Sequence, residues 1–177
     1  ELEALRTAAR DARTQPVFVH VHGPPGIGKT ALVRQFLADA AGAPDTVVLD
    51  GRCYQRESVP YKALDPVVDA LGRYLKRLPH LEAAGFLPRD TRALLRLFPT
   101  LGQLELLTQL PGRDAAPDPH ELRRRAFGAL RELLARISDV KRIVIAIDDA
   151  QWGDTDSAAL LGDLFAPPDP PPMRLVL

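Results

Sequence analysis

The sequence has few of the features that mark membrane, secreted or nucleic-acid-binding proteins. Cys53 is its one cysteine, which excludes an internal disulfide framework and is typical of a reducing compartment. Lysine and arginine total 23, as do aspartate and glutamate, so a net charge of zero gives no global indication of nucleic-acid or anionic-membrane binding. No apolar run approaches the length of a membrane span, and the charged, helix-patterned start is unlike a signal peptide. These absences predict a cytoplasmic domain with no membrane contact and no direct nucleic-acid contact.

The length of the chain, 177 residues, favours one domain that can bury a real core. The chain does not begin with methionine, and it ends within the apolar run 173–177. We therefore expect residues 1–177 to be one core domain cut from a larger, multidomain protein.

A glycine-rich stretch, GPPGIGKT at residues 23–30, separates an apolar run from a helix-patterned segment. Its glycines let the backbone bend sharply and approach a phosphate closely, and the N–H groups of the turn and of the helix N-terminus then point at the anion. This order of strand, turn and helix is the context of the P-loop, or Walker A motif, in which Lys29 would reach the β- and γ-phosphates and Thr30 would hold Mg²⁺. The residues predicted to bind the nucleotide are Gly23, Pro24, Pro25, Gly26, Ile27, Gly28, Lys29, Thr30 and Ala31, and Lys29 is also predicted to serve catalysis.

Two adjacent carboxylates, Asp148 and Asp149, follow the β-branched run 142–147. An apolar strand that ends in acidic residues resembles the second motif of P-loop NTPases, the Walker B motif. Its first carboxylate, here Asp148, holds Mg²⁺ directly or through water. Its second, here Asp149, points towards the γ-phosphate and orients or deprotonates a water molecule. Such a pair also occurs in ordinary solvated turns at strand ends, but the P-loop upstream favours the catalytic interpretation.

Hydrophobic periodicity predicts the elements around these motifs. The predicted strands are 17–22, 46–50, 142–147 and 173–177, the first of them apolar on both faces like a central parallel strand. The predicted helices are 1–13, 29–41, 61–76, 91–98, 101–110, 118–137 and 155–165, with a disordered loop at 113–119. The segment between the second and third strands is longer than a βα connection needs and is helical in pattern, which predicts a helical insertion over about 56–140.

Over nearly its whole length the chain resembles the ATPase module of bacterial signalling proteins of the AAA-type or STAND group. The resemblance rests on GPPGIGKTALVRQFL, GRCYQRESVPYKALDPVVDAL and RIVIAIDDAQWGDTDSAALLGDL. The P-loop is shared by many NTPases, whereas the pattern D-D-x-Q-W-x-D at 148–154 is more specific to this group. Similar modules occur in large LuxR-type regulators and beside Ser/Thr-kinase or nucleotide-cyclase domains.

The resemblance implies an α/β fold, a P-loop NTPase of three layers, α/β/α, with a parallel sheet of the additional-strand type in the order 5-1-4-3-2. The four predicted strands would be strands 1 to 4, and the C-terminal part of the fold, with strand 5, the sensor arginine, the helical lid and the winged-helix region, would be truncated. It also implies ATP or ADP and Mg²⁺ as ligands, contacts with other domains of the parent chain, and nucleotide-dependent self-association. Gln151 is implied as a candidate sensor of the γ-phosphate.

The resemblance and the motifs together predict an ATP-binding, slowly hydrolysing switch module of a bacterial signalling or transcription regulator, active as an ATPase in the intact protein. A non-hydrolysing nucleotide-binding scaffold and a DNA-associated initiator or loader ATPase remain as alternatives. For the residues beside the motifs, we favour structural roles over ligand contacts. We expect His22 to be packed at the strand end, Arg52 to lie on the surface, Cys53 to be buried, Trp152 to pack between helices, and Asp154 and Thr155 to cap a helix.

Overall fold

A computed structural model describes residues 1–11, 15–55, 60–103 and 118–177 of the chain. Most of the helix predicted at 101–110 and of the loop predicted at 113–119 lies outside these ranges. Within them, the parallel sheet and its flanking helices confirm the predicted α/β class.

Four parallel strands form one sheet in the order β1-β4-β3-β2, which is the 1-4-3-2 portion of the expected order. The strands are β1 (Val17–Val19), β2 (Thr46–Arg52), β3 (Arg142–Asp148) and β4 (Met173–Val176). Asp148 is therefore the last residue of its strand, and the register places it beside Arg52 at the end of β2. Among the described strands β1 lies at the edge rather than in the centre of the sheet, and Phe18 is 57% exposed.

Seven α-helices are found in the described residues. They are α1 (Leu2–Asp11), α2 (Lys29–Ala41), α3 (Asp65–Arg77), α4 (His80–Phe86), α5 (Thr91–Leu97), α6 (Pro119–Ser138) and α7 (Thr155–Leu164), with 3₁₀ turns at Pro99–Gln103 and Ala150–Trp152. The predicted bounds of α2 are confirmed, and the start of α6 is capped as expected, because the Asp118 carboxylate accepts a hydrogen bond of 3.1 Å from the His120 amide. The sequence analysis missed α4, whose seven residues are too few to show a helical period.

Both faces of the sheet are covered by helices, because the side chains of β3 alternate between two cores. Val144 and Ala146 pack with Phe36 of α2 and Leu5 of α1. On the opposite face, Ile143, Ile145 and Ile147 belong to the larger core, which is completed by α3, α5, α6 and α7. Burial of each such aliphatic side chain contributes roughly 1.5–3 kcal/mol. The result is a three-layer α/β/α arrangement in which β3 is buried on both faces.

Gly51, one residue before the end of β2, lies where the first turn of α3 crosses the strand. A Cβ at this position would lie 2.9 Å from Pro66 Cβ and 3.2 Å from Val67 Cγ2. The absence of a side chain therefore lets α3 approach β2 closely, next to the end of the strand that carries Arg52.

We predict that Gly51→Ala lowers the free energy of unfolding by about 1–3 kcal/mol, because the added methyl group overpacks this crossing. Urea denaturation of the two proteins measures the difference. Gly128→Ala is the matched control, since Gly128 lies within α6 with no atom within 4 Å of the added Cβ. That change should stabilise the protein by roughly 0.5–1 kcal/mol. Equal effects of the two substitutions would contradict the crossing as the cause.

Candidate functional site

The glycine-rich turn after β1 presents the uncapped N-terminus of α2. Gly26 and Gly28 have φ of 80° and 98°, values that disfavour a side chain. Gly28 is the N-cap of α2 and has no side chain that could accept a hydrogen bond from the helix amides, and the first turn of the helix carries no acidic residue. The amide groups at this helix start are therefore available to an external anion.

The Lys29 side chain folds back over the turn. Its Nζ donates hydrogen bonds to the carbonyl oxygens of Gly23 and Pro24, at 2.8 and 3.2 Å. These neutral acceptors hold the ammonium group near the mouth of the turn, where a phosphate oxygen would be a stronger, charged acceptor.

Thr30 and Asp148, 118 residues apart in sequence, meet at the carboxyl edge of the sheet. The Thr30 Oγ1 lies 3.2 Å from each carboxylate oxygen of Asp148 and donates to this group. A hydroxyl and a carboxylate are hard oxygen ligands of the kind that Mg²⁺ takes. Among the residues that the structure describes, no group of three or more His, Cys, Asp or Glu could hold a metal. The pair could supply two ligands of an ion whose remaining ligands would be phosphate oxygens and water.

Asp149 has a left-handed backbone, with φ of 56°, and its carboxylate is held by two neighbours. Arg52 donates to Oδ2 through Nε and Nη2, at 3.0 and 2.8 Å, and Gln151 donates to Oδ1 at 3.1 Å. The hydrogen bonds from Arg52, aided by that from Gln151 and opposed by partial burial, lower the pKa of Asp149 below its ordinary value. Asp149 is consequently a carboxylate in this state and a weakened base.

Arg52 is the member of the site whose role the sequence analysis missed. Its guanidinium stays half-exposed, as expected for a surface arginine, but it pairs with Asp149 and lies 5.7 Å from the centroid of the Tyr54 ring. The signal that could have found it is the register of two parallel strands, which sets the last residue of β2 beside Asp148.

The structure tests the other expectations beside the motifs. Cys53 is buried, as predicted. The expectation that His22 is packed is wrong, because it is exposed and lies beside His20 with ring centroids 5.5 Å apart. Trp152 is 39% exposed rather than packed between helices, because it lies in a 3₁₀ turn at the rim of the site.

Asp154 caps α7, as predicted, and accepts the Ser157 amide at 2.9 Å. Burial raises the pKa of its carboxyl, but the hydrogen bonds from Ser157 and Tyr61 outweigh that effect and lower the pKa below its ordinary value.

The glycine-rich turn, the start of α2 and the carboxylates at the end of β3 line one cleft of about 730 Å³, a size suited to a nucleotide. Gly23, Pro24 and Ile27 are not among its lining residues, whereas His20, Val33, Arg52 and Val176 are lining residues that the sequence analysis had not assigned. The predicted site residues that the structure brings together on the cleft are Pro25, Gly26, Gly28, Lys29, Thr30, Ala31, Asp148, Asp149 and Gln151.

A parallel sheet in the order 1-4-3-2, with a glycine-rich turn before α2 and two carboxylates at the end of β3, defines a P-loop NTPase fold. The sequence model of the AAA ATPase domain matches residues 1–177, and the chain belongs to this family of nucleotide-binding ATPase domains. No curated protein and no solved structure gives a significant match to the chain. No helix in the described ranges is long and apolar enough to cross a membrane.

We predict that Arg52→Gln raises the pKa of Asp149 towards its ordinary value, because the substitution removes the cation and its two hydrogen bonds. The ¹³C shift of the Asp149 carboxyl, followed through an acid titration without nucleotide, measures the change. In the wild-type protein the pairing stabilises the fold above the ordinary pKa of aspartate, and this contribution is lost as the pH falls through the lowered value. The variant should lack that contribution. Arg89→Gln, which alters an exposed arginine paired with Glu132, is the control and should leave Asp149 unchanged.

Proposed function

We propose that this chain is an ATP-binding, slowly hydrolysing switch module of a multidomain bacterial signalling or transcription regulator. The observation that carries the proposal is the meeting of Thr30 and Asp148, because it joins the P-loop helix to the acidic end of β3. Glycine-rich turns and Asp-Asp pairs each occur alone in other proteins, whereas their apposition is what Mg²⁺-nucleotide binding requires. The sequence resemblance supports the remaining parts of the proposal. These are the parent regulator, the status of residues 1–177 as a piece of it, the contacts with its other domains and the nucleotide-dependent self-association.

The phosphate chain would be bound by the turn and by α2. The amides after Gly26 and Gly28 would donate to the phosphate oxygens, and the helix dipole would favour the negative charge. Lys29 would exchange its two backbone carbonyl partners for the β- and γ-phosphates.

Thr30 and Asp148 would hold Mg²⁺, which when bound neutralises charge on the phosphates. Asp149, the next residue, would orient and deprotonate the attacking water. In the structure its carboxylate accepts hydrogen bonds from Arg52 and Gln151, so both oxygens are engaged. This engagement and the lowered pKa make Asp149 a poor base until it separates from Arg52, which supports a slow switch over a fast enzyme.

The same ion pair favours one alternative, a nucleotide-binding scaffold that does not hydrolyse ATP. In that case Arg52 would stay on Asp149 while ATP is bound. Phosphate release by the intact protein separates the two functions, because both require binding and only the switch requires turnover.

We predict that Lys29→Ala weakens ATP binding about 10-fold or more, since a hydrogen bond to a charged group contributes roughly 1.5–3 kcal/mol. Equilibrium dialysis with Mg²⁺ and labelled ATP measures the affinity. Lys141→Ala is the matched control, because Lys141 Nζ also donates to a backbone carbonyl, that of Pro44, at the opposite edge of the sheet. Wild-type affinity in Lys29→Ala would refute the phosphate-binding role of the turn.

We predict that Asp149→Asn reduces phosphate release by about 10²–10⁴-fold while ATP binding persists, because the amide cannot accept a proton from water. Single-turnover assays on the intact protein separate binding from chemistry. Asp45→Asn is the control, since Asp45 also pairs with an arginine of the neighbouring strand, Arg142, but at the amino end. Equal turnover in Asp149→Asn and wild type would exclude Asp149 as the base, and binding without turnover in the wild type would favour the scaffold.

A further inference from the structure

Two strained residues mark the loops that leave β2 and β3. Tyr61 and Asp149 have φ of 63° and 56°, and they are the non-glycine residues with positive φ in the described part of the chain. A left-handed backbone is unfavourable for a bulky aromatic residue and persists only where surrounding contacts hold it. Asp149 is held by Arg52, and the backbone amide of Tyr61 is held by Asp154, five residues after Asp149.

Asp154 joins the two loops. One oxygen of its carboxylate accepts the Ser157 amide and also the Tyr61 amide, the latter at 3.1 Å. The other oxygen accepts the Ser157 hydroxyl at 2.5 Å. The residue therefore caps α7 and at the same time fixes the backbone of Tyr61, 93 residues earlier in the chain.

Ser157 makes the second connection. Its side chain is buried, and its Oγ accepts the Ala63 amide at 3.1 Å while donating to Asp154. The amides of Tyr61 and Ala63 are thus both bound by groups at the start of α7. In a buried environment such bonds are costly to leave unmade, so a displacement at the start of α7 would carry the backbone of Tyr61 and Ala63 with it.

Tyr61 also contacts the helices between β2 and β3. Its carbonyl accepts the amides of Leu64 and Asp65, both at 2.8 Å, where α3 begins. Its buried ring packs edge-on against Phe98, after α5, and Phe127 of α6, with centroids 5.7 and 5.9 Å away. A shift of Tyr61 would therefore be felt at the start of α3 and by α5 and α6.

A short, tight segment separates Asp149 from Asp154. It consists of the 3₁₀ turn Ala150–Trp152 and Gly153, whose Cβ, if present, would lie 3.0 Å from the Ala150 carbonyl oxygen. The Trp152 and Gly153 amides donate to the carbonyl oxygens of Asp149 and Ala150, at 3.0 and 2.9 Å. Because this segment is compact, a displacement of Asp149 would be transmitted to Asp154 rather than absorbed between them.

We propose that the bonds from Tyr61 and Ala63 to Asp154 and Ser157 couple nucleotide occupancy of the cleft to the packing of α3, α5 and α6. The inference rests on the proposed function, because it needs a ligand that draws Asp149 away from Arg52. That movement shifts the segment 150–153 and with it Asp154 and Ser157. Tyr61 follows, since its amide and the Ala63 amide have their acceptors there, and the helices that pack on Tyr61 follow in turn. Asp154 and Ser157 are positioning residues in this scheme and touch no nucleotide.

The chain carries its own probe for the first step. Trp152 is its single tryptophan, partly exposed and within the moving segment. Titration with Mg²⁺ and ATP should change its fluorescence, and hydrogen exchange of amides 63–77 should then report the second step. For the wild-type protein we expect both signals, with a change in exchange of about fivefold or more, the lower end of typical allosteric coupling.

Ser157→Ala tests the connection, because it removes the acceptor of the Ala63 amide and leaves the Asp154 cap of α7 in place. We expect this variant to keep the Trp152 response and ATP affinity but to lose the nucleotide-dependent change at 63–77. Ser138→Ala is the matched control, since the Ser138 hydroxyl donates only within α6, to the Ala135 carbonyl. It should behave like the wild type in both signals.

A second pair keeps the test valid if Ser157→Ala fails to fold. Asp154→Ala removes a helix cap and the Tyr61 bond, whereas Asp118→Ala removes the cap of α6 alone. Only Asp154→Ala should uncouple the two signals, and equal behaviour of the pair would reduce Asp154 to an ordinary cap.

The outcomes separate this inference from the proposed function. Binding by dialysis with no response of Trp152 or of amides 63–77, or full transmission in Ser157→Ala, overturns the coupling and leaves ATP binding intact. No binding of ATP to the wild-type protein overturns both.

Discussion

The candidate site depends on the parallel pairing of β2 with β3. The register runs from Thr46 beside Arg142 to Arg52 beside Asp148, so both strands end at one level and their loops leave side by side. The Cys53 amide extends the pairing by donating to the Asp148 carbonyl at 3.0 Å. A shift by one residue would turn every side chain of β2 to the other face and remove Arg52 from Asp149. Gly51 lies at the end of this pairing, where its missing side chain lets α3 lie close to the strand.

At the carboxyl edge of the sheet, the charged side chains balance one another through contacts that a ligand could replace. Asp148 and Asp149 bring two negative charges together, and Arg52 and the Thr30 hydroxyl satisfy them. The side chains of Arg52 and Asp149 keep 48% and 30% of their surface exposed, so water screens their attraction. The Lys29 ammonium group donates to two neutral carbonyl oxygens. A ligand that carries phosphates could therefore replace the present partners of both the cationic and the anionic side chains. Such an exchange would let ligand binding shift the protein between two conformations.

The helices between β2 and β3 are attached to the site through the first residues of α7. Tyr61 and Ala63 lie just before α3, and their amides donate hydrogen bonds to Asp154 and Ser157. Arg123 of α6 also pairs with Asp156 of α7 at 3.3 Å. The helices are therefore not an independent lobe on a flexible linker. They share a buried core with the face of β3 that carries Ile143, Ile145 and Ile147, and Leu160 and Leu164 of α7 belong to the same core.

The sequence by itself determined the features that local pattern encodes. The P-loop, the bounds of α2, the four strands, the acidic end of β3 and the caps Asp118 and Asp154 all follow from residue type and short spacing. Only the tertiary structure decided that Arg52 lies on Asp149, 97 residues away, that Tyr61 adopts a left-handed backbone, and that His22 is exposed. Periodicity reports which face of an element is apolar, whereas these features depend on which strands pair, in which register, and on the buried hydrogen bonds that hold an unfavourable backbone in place.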